Sequence, residues 1–203
     1  YGGAGTVSLN ILRNTIEAKV LNTTTTADST GNITLLAQDS SSIYSFAGAF
    51  GYGKDAGLGG AVATNALNNV VRTAVEGSML RTTGSFSGKA KENGIVVTLA
   101  AGGAGSEKLA IAGSVAMNLF INTIDAHISD STILTGGAVA LAAEDLEVSV
   151  ALGGGVAIAT ATGGAGAGAA IGLNLIFNKV TAVADTAVIT SLSTIDITSQ
   201  AQE

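Results

Sequence analysis

Apolar side chains alternate with small or polar ones in four stretches of this chain: VSLNILRNTIEAKV from Val7, VATNALNNVVRTAV from Val62, VAMNLFINTIDAHI from Val115 and IGLNLIFNKVTAVA from Ile171. Each stretch holds an Asn-x-x-x-Asn motif, at Asn10/Asn14, Asn65/Asn69, Asn118/Asn122 and Asn174/Asn178, with intervals of 55, 53 and 56 residues between the first Asn of successive copies. Ahead of and just past the first Asn, the series Val7, Leu9, Ile11 and its equivalents Val115, Met117, Leu119 and Ile171, Leu173, Leu175 have period two, which is the signature of a strand. The residue between the first two of each series is always small (Ser8, Ala63, Ala116, Gly172), so both faces of this strand are partly covered. After the second Asn the phase is cleaner. Ile16, Ala18 and Val20 and their equivalents are mostly aliphatic, while Glu17, Arg72, Asp125 and Thr181 stand between the first two residues of each series. The pattern predicts a strand, a corner at the Asn motif and a second strand with one wet face.

The remainder of each unit repeats the alternation in weaker form. Val139, Leu141, Val148, Val150 and Leu152 follow Val115, Met117, Ile124, Ala126 and Ile128 at an offset of about 24 residues, within the period range of β-helices. This predicts an all-β, parallel β-solenoid spanning 1–203 with about two rungs per repeat of about 55 residues. The repeats run over 1–57, 58–110, 111–168 and an incomplete 169–203. Equivalent Asn would then lie two rungs apart, without an unbroken ladder, and about seven rungs would build a rod about 34 Å long.

Composition agrees with a repeat protein. Only 12% of residues are charged and 4% aromatic, with Gly 28, Pro 0, Cys 0 and Trp 0, a set of small side chains packed by backbone regularity. The net charge of −6 comes without any basic cluster, which argues against nucleic acid as a partner. Absence of Cys excludes disulfides and thiolate metal sites. The chain starts without an initiator Met or a basic leader, as expected of a piece of something longer.

The uncharged run from Val148 to Phe177, with Gly164, Gly168 and Gly172 spaced as a doubled G-x-x-x-G, is long enough to cross a bilayer as a helix. The repeat register argues otherwise: Gly163-Gly164 align with Lys54-Asp55 and Glu107-Lys108, so the position is an exterior turn, and no membrane span is expected.

The chain offers few candidate chemical groups. The eight motif Asn are read as structural corner residues whose amides pair with backbone groups. Tyr44, Phe46, Phe50 and Tyr52 lie on one face of a single strand; turned inward they fill the coil, the favoured reading, and turned outward they form a platform for sugar rings. His127, the only His, shares its strand face with Asp125 but lacks a nucleophile or a third ligand, and both read as polar residues on a wet face. Glu144, Asp145 and Glu147 are similar to the carboxylates of polysaccharide-cleaving β-helices, yet they fall at a corner where charges are normally solvated. Thr23 to Thr26 do not recur in register, against an ice-binding array. No catalytic residue, metal or cofactor is expected, and the chain is not expected to be an enzyme.

The phrase Gly113-Ser114-Val115-Ala116-Met117-Asn118, its Asn-Thr corner and the element Asp130-Ser131-Thr132 resemble repeats of very large bacterial surface proteins, the filamentous haemagglutinin-like and leukotoxin-like filamentous adhesins. The resemblance covers essentially the whole chain. It implies a right-handed parallel β-helix at the bacterial cell surface or outside the cell, acting as a structural or adhesive rod. Its partners would be further repeats of the same chain, other copies in end-to-end or lateral contact, or host and environmental glycans. The second unit departs most, with Thr64 and Ala66 in place of larger apolar residues and Phe86 to Asn93 reading as an irregular insertion.

Overall fold

The computed structural model describes residues 1–25 and 30–202; Thr26, the end of the threonine run, lies outside them. The described chain is a parallel β-solenoid of three coils that each take one full sequence repeat and a fourth, partial one. Five sheets run along its axis. Sheet one is β1 (Gly2–Leu12), β5 (Ala56–Leu67), β10 (Leu109–Phe120) and β15 (Ala165–Ile176). Sheet two is β2 (Thr15–Leu21), β6 (Val70–Glu76), β11 (Thr123–Ser129) and β16 (Lys179–Asp185). Sheet three, short, is β7 (Met79–Thr82), β12 (Thr132–Thr135) and β17 (Val188–Ser191), with Thr24 adding a single bridge to Met79. Sheet four is β3 (Ile33–Asp39), β8 (Phe86–Glu92), β13 (Val139–Leu146) and β18 (Ile195–Gln202). Sheet five is β4 (Ser42–Gly53), β9 (Ile95–Ser106) and β14 (Val148–Ala159).

The expected two rungs per repeat are one. Asn10 pairs with Asn65, Asn65 with Asn118 and Asn118 with Asn174 as direct neighbours in sheet one, so one coil takes about 55 residues. The stack is therefore about 19 Å along its axis, not 34 Å. The weak internal repeat has a physical origin. It is a likeness of strand period alone: Val139 and Leu141 of sheet four are buried, whereas Val115 and Met117, their counterparts in that repeat, lie on the outer face of sheet one. Phe86 to Asn93, expected to be irregular, is almost wholly the regular strand β8, in register with Ile33–Asp39 and Val139–Asp145.

Each coil has a broad arm and a narrow arm. In the broad arm, sheets two and four face each other and sheet three closes the end, around Val71, Val75, Leu80, Phe86, Ile124, Ile128, Ile133 and Leu141. Sheet two keeps the expected phase: Ile16, Val71, Ile124 and Val180 point in, and Glu17, Arg72, Asp125 and Thr181 stack outside. In the narrow arm, sheets one and five press together through Gly, Ala and Ser. A Cβ on Gly51 would strike the carbonyl oxygen of Leu58, and one on Gly59 that of Gly103, so a residue without a side chain is required where the two backbones approach this closely. The stretch Val148 to Phe177 is two such strands, β14 and β15, back to back; Gly168 and Gly172 face the carbonyl oxygens of Gly155 and Ala151.

Candidate functional surface

The narrow arm is built inside out. Its small residues point inward, with Ala63, Ala100 and Ala116 fully buried, and its large apolar residues point outward. Val7, Leu58, Ile111 and Ile171 stand exposed on sheet one, and Leu152, Val156 and Ile158 on sheet five. None of its seven strands contains Asp, Glu, Lys or Arg. Charges return only at the hairpin-like turns of the far edge, where Lys108 Nζ meets Asp55 Oδ1 at 2.6 Å, holding the Asp55 carboxyl below and the Lys108 amine above their ordinary ranges.

Tyr44, Phe46, Phe50 and Tyr52 lie on this outer surface, which corrects their favoured reading as core. They are 61%, 67%, 66% and 67% exposed. The interior opposite them is too thin for rings: their inward neighbours are Ser45, Ala47, Ala49 and Gly51. Aromatic alternation alone gives no direction when both faces of a strand are uncharged.

The motif Asn form two unbroken ladders. Those of the first set are inside strands of sheet one, not at a corner, and point inward: Asn10 Nδ2 donates to Asn65 Oδ1 at 2.8 Å, Asn65 Nδ2 to Asn118 Oδ1 at 3.2 Å, and Asn118 Nδ2 to Asn174 Oδ1 at 3.0 Å. Thr98 bridges Asn65 and Asn118 from sheet five, and Ser149 takes the same part between Asn118 and Asn174. Those of the second set occupy the expected corner. Each accepts, through its side-chain oxygen, the backbone N–H of the Asn in the preceding coil: Asn14 to Asn69 at 3.0 Å, and Asn69 to Asn122 and Asn122 to Asn178 at 2.8 Å.

Across the waist of the coil from this second ladder stands a column of carboxylates. Asp39, Glu92 and Asp145 are register partners in sheet four, all buried, with Glu147 beside them. Asn14 Nδ2 donates to Asp39 Oδ2 at 3.0 Å, Asn69 Nδ2 to Glu92 Oε1 at 3.3 Å, Asn122 to Glu147, and Asn178 Nδ2 to Asp145 Oδ2 and Glu147 Oε2 at 2.7 Å each. Among the described residues, Glu92 Oε2 has no hydrogen-bond partner. Burial and the neighbouring Asp39 push the Glu92 carboxyl up to about 7; burial and Asp145 push that of Glu147 up to about 8. The expectation of a solvated acidic triplet thus holds for Glu144, which pairs with Lys89 at 2.6 Å on the exterior, and fails for Asp145 and Glu147. Their inward phase was legible from β13; what hid them was that the Asn donors facing them come from about 30 residues away in sequence.

His127 is the centre of a charge cluster on sheet two, more covered than a wet face implies. Its Nδ1 is 2.8 Å from Asp125 Oδ2 and its Nε2 2.7 Å from Glu76 Oε1, and Arg72 Nε donates to Asp125 Oδ2 at 3.1 Å. The His127 contact holds the Glu76 carboxyl below its ordinary range. Among the described residues no cluster of three or more His, Asp or Glu side chains has the geometry of a metal site. Compared with family models, with curated proteins and with solved structures, the chain finds no match.

Proposed function

We propose that this chain is a structural or adhesive repeat segment of a large bacterial cell-surface or secreted fibrous protein, working as a stiff rod without catalysis. The observation that carries the reading is the continuity of the ladders: every sheet and both Asn columns pass from coil to coil in register. The first and last coils present unpaired strand edges, to which further coils of the same kind add with no change of geometry. The surface location and the kinship with filamentous adhesins rest on the phrase around Gly113 to Asn118. Catalysis of the polysaccharide-cleaving kind is disfavoured because Asp145 and Glu147 are directed into the coil against Asn178, where a glycan chain has no access.

Electron microscopy of the purified chain at rising concentration tests the rod: end-to-end fibres support it, and particles that never elongate contradict it. Protease protection of intact producing cells, compared with lysed ones, tests the location. A second reading, a glycan-binding surface, is favoured by the outward row Tyr44, Phe46, Phe50 and Tyr52. A glycan array probed with the native chain and with Tyr44→Ala/Tyr52→Ala decides it: signal lost in the variant supports binding, and no signal from either removes it.

A further inference from the structure

Glycines of the narrow arm fall into two sets. Those pointing inward are required by the contact between sheets one and five. Gly5, Gly60 and Gly113 point outward and form, with Ala169, one column across all four coils of sheet one. Neither space nor backbone demands glycine there. A Cβ on Gly60 would meet nothing within 4 Å, and those on Gly5 and Gly113 only a neighbouring strand's carbonyl oxygen at 3.9 Å. Their φ angles lie outside the left-handed region, which among the described glycines only Gly77 and Gly163 enter. Glycine inside a strand costs about 0.5–1 kcal/mol relative to a residue with a side chain. The fold alone does not account for this column.

The column is the floor of an apolar groove of about 360 Å³, walled on one side by Val62, Val115 and Ile171. Val7 continues that wall in the first coil, and Leu58 and Ile111 form the opposite wall in the middle two. The valine wall is a ridge with the same axial repeat as the groove, displaced from it by two residues. A two-fold axis parallel to the solenoid axis therefore sets the ridge of each copy into the groove of the other, at equal coil heights. The contact is isologous and closes on itself.

We propose that the occupant of this groove is a second copy of this chain, so that rods pair laterally, sheet one against sheet one. The proposal rests on the rod reading above and names its partner. Four strands of 11 or 12 residues make the face about 40 Å by 19 Å, roughly 760 Å², close to the roughly 800 Å² per partner of a stable interface and above the largest apolar patch usual on a monomer. Without charge on any of its strands, the face offers nothing to an ionic partner. An apolar ridge with the axial repeat of these coils covers its whole length. A lipid bilayer is the other occupant an uncharged apolar face could take, and the vesicle arm of the test below distinguishes it.

Sedimentation velocity of the chain with both middle glycines filled, Gly60→Val/Gly113→Val, tests the pairing. The native chain is expected to show a concentration-dependent dimer, and the variant to shift to monomer, at least tenfold weaker in association, with an unchanged or raised melting temperature. Should the variant misfold, Val115→Cys in this cysteine-free chain keeps the test open: a short bismaleimide is expected to join two copies there but not at Ser193→Cys on the opposite end of the coil. Rods that grow end to end yet stay one rod wide, a filled variant that associates like the native chain, or absence of the Val115→Cys cross-link would overturn the pairing while leaving the rod intact. Flotation of undimerised protein with phosphatidylcholine vesicles would overturn it in favour of a membrane.

Discussion

Replacing Glu92 by Gln should make the protein more stable in alkali and leave it unchanged in acid. Glu92 is fully buried, between Asp39 and Asp145 in adjacent coils; among the described residues Asn69 is its one donor and Oε2 is unpartnered. Its carboxyl is raised from 4.5 to about 7. Below the lower value the folded and unfolded chains are both protonated, and pH has no purchase on this group. Between the two values the folded chain keeps a proton that the unfolded chain has released, so stability falls as pH rises, by about 1.4 kcal/mol per unit. Above about 7 the loss is complete, at about 3 kcal/mol. Glu147 adds a further fall that runs on to about 8.

Gln carries no charge, can still accept from Asn69, and offers its own NH₂ to the carboxylates above and below. Glu92→Gln should therefore gain about 3 kcal/mol at about pH 8, a rise of roughly 6–12 °C in melting temperature for a chain of this size, and differ by under about 0.5 kcal/mol at about pH 4.5. It should also bring the Glu147 transition to lower pH, because the Glu92 charge contributes to raising it. The assay is chemical and thermal unfolding of both proteins over that pH range. A flat native profile, or a Gln variant weaker than the native chain in alkali, would show that the carboxylate column is compensated by something other than protons.

Three further substitutions probe the architecture. Gly59→Val should cost about 3 kcal/mol or more in urea unfolding, since its Cβ meets the backbone oxygen of Gly103, while its neighbour Gly60 tolerates the same change. Asn69→Ala removes the acceptor of the Asn14 N–H and the donor to Glu92, so it should cost about 2–3 kcal/mol and move the Glu92 transition to still higher pH. Phe120→Ala, at the buried junction with Leu67 and Val96, should cost about 3–5 kcal/mol, whereas Phe46→Ala on the outer face should cost under about 1 kcal/mol, as read by thermal melts of the two variants.

The strands, the repeat length, the corner at the second Asn and the inward phase of Ile16, Ala18 and Val20 were legible because a wet face marks the other side of sheet two. In the narrow arm that marker is missing. Val7, Leu9 and Ile11 alternate with Ser8 and Asn10, both uncharged, and only the approach of two backbones decides that the smaller set goes inside. The same ambiguity turned Tyr44 and Phe46 the wrong way. The rung count has a related cause: every strand alternates with period two whichever way its apolar set points, so outward Val148 and Leu152 match buried Ile124 and Ile128 and half a coil resembles a whole one. Burial of Asp145 and Glu147 depends on Asn donors brought across the waist by the fold, which no local pattern encodes.

The claim on which the account rests is that one repeat makes one coil, and it is tested most directly by isotope-edited NMR at the Asn65 side chain. Asn65 Nδ2 lies 3.2 Å from Asn118 Oδ1, so its amide protons should show strong through-space contacts to Asn118 and, on the other side, to Asn10. Contacts instead to the segment around Lys89, about 24 residues onward, would mean two rungs per repeat and would contradict the ladder.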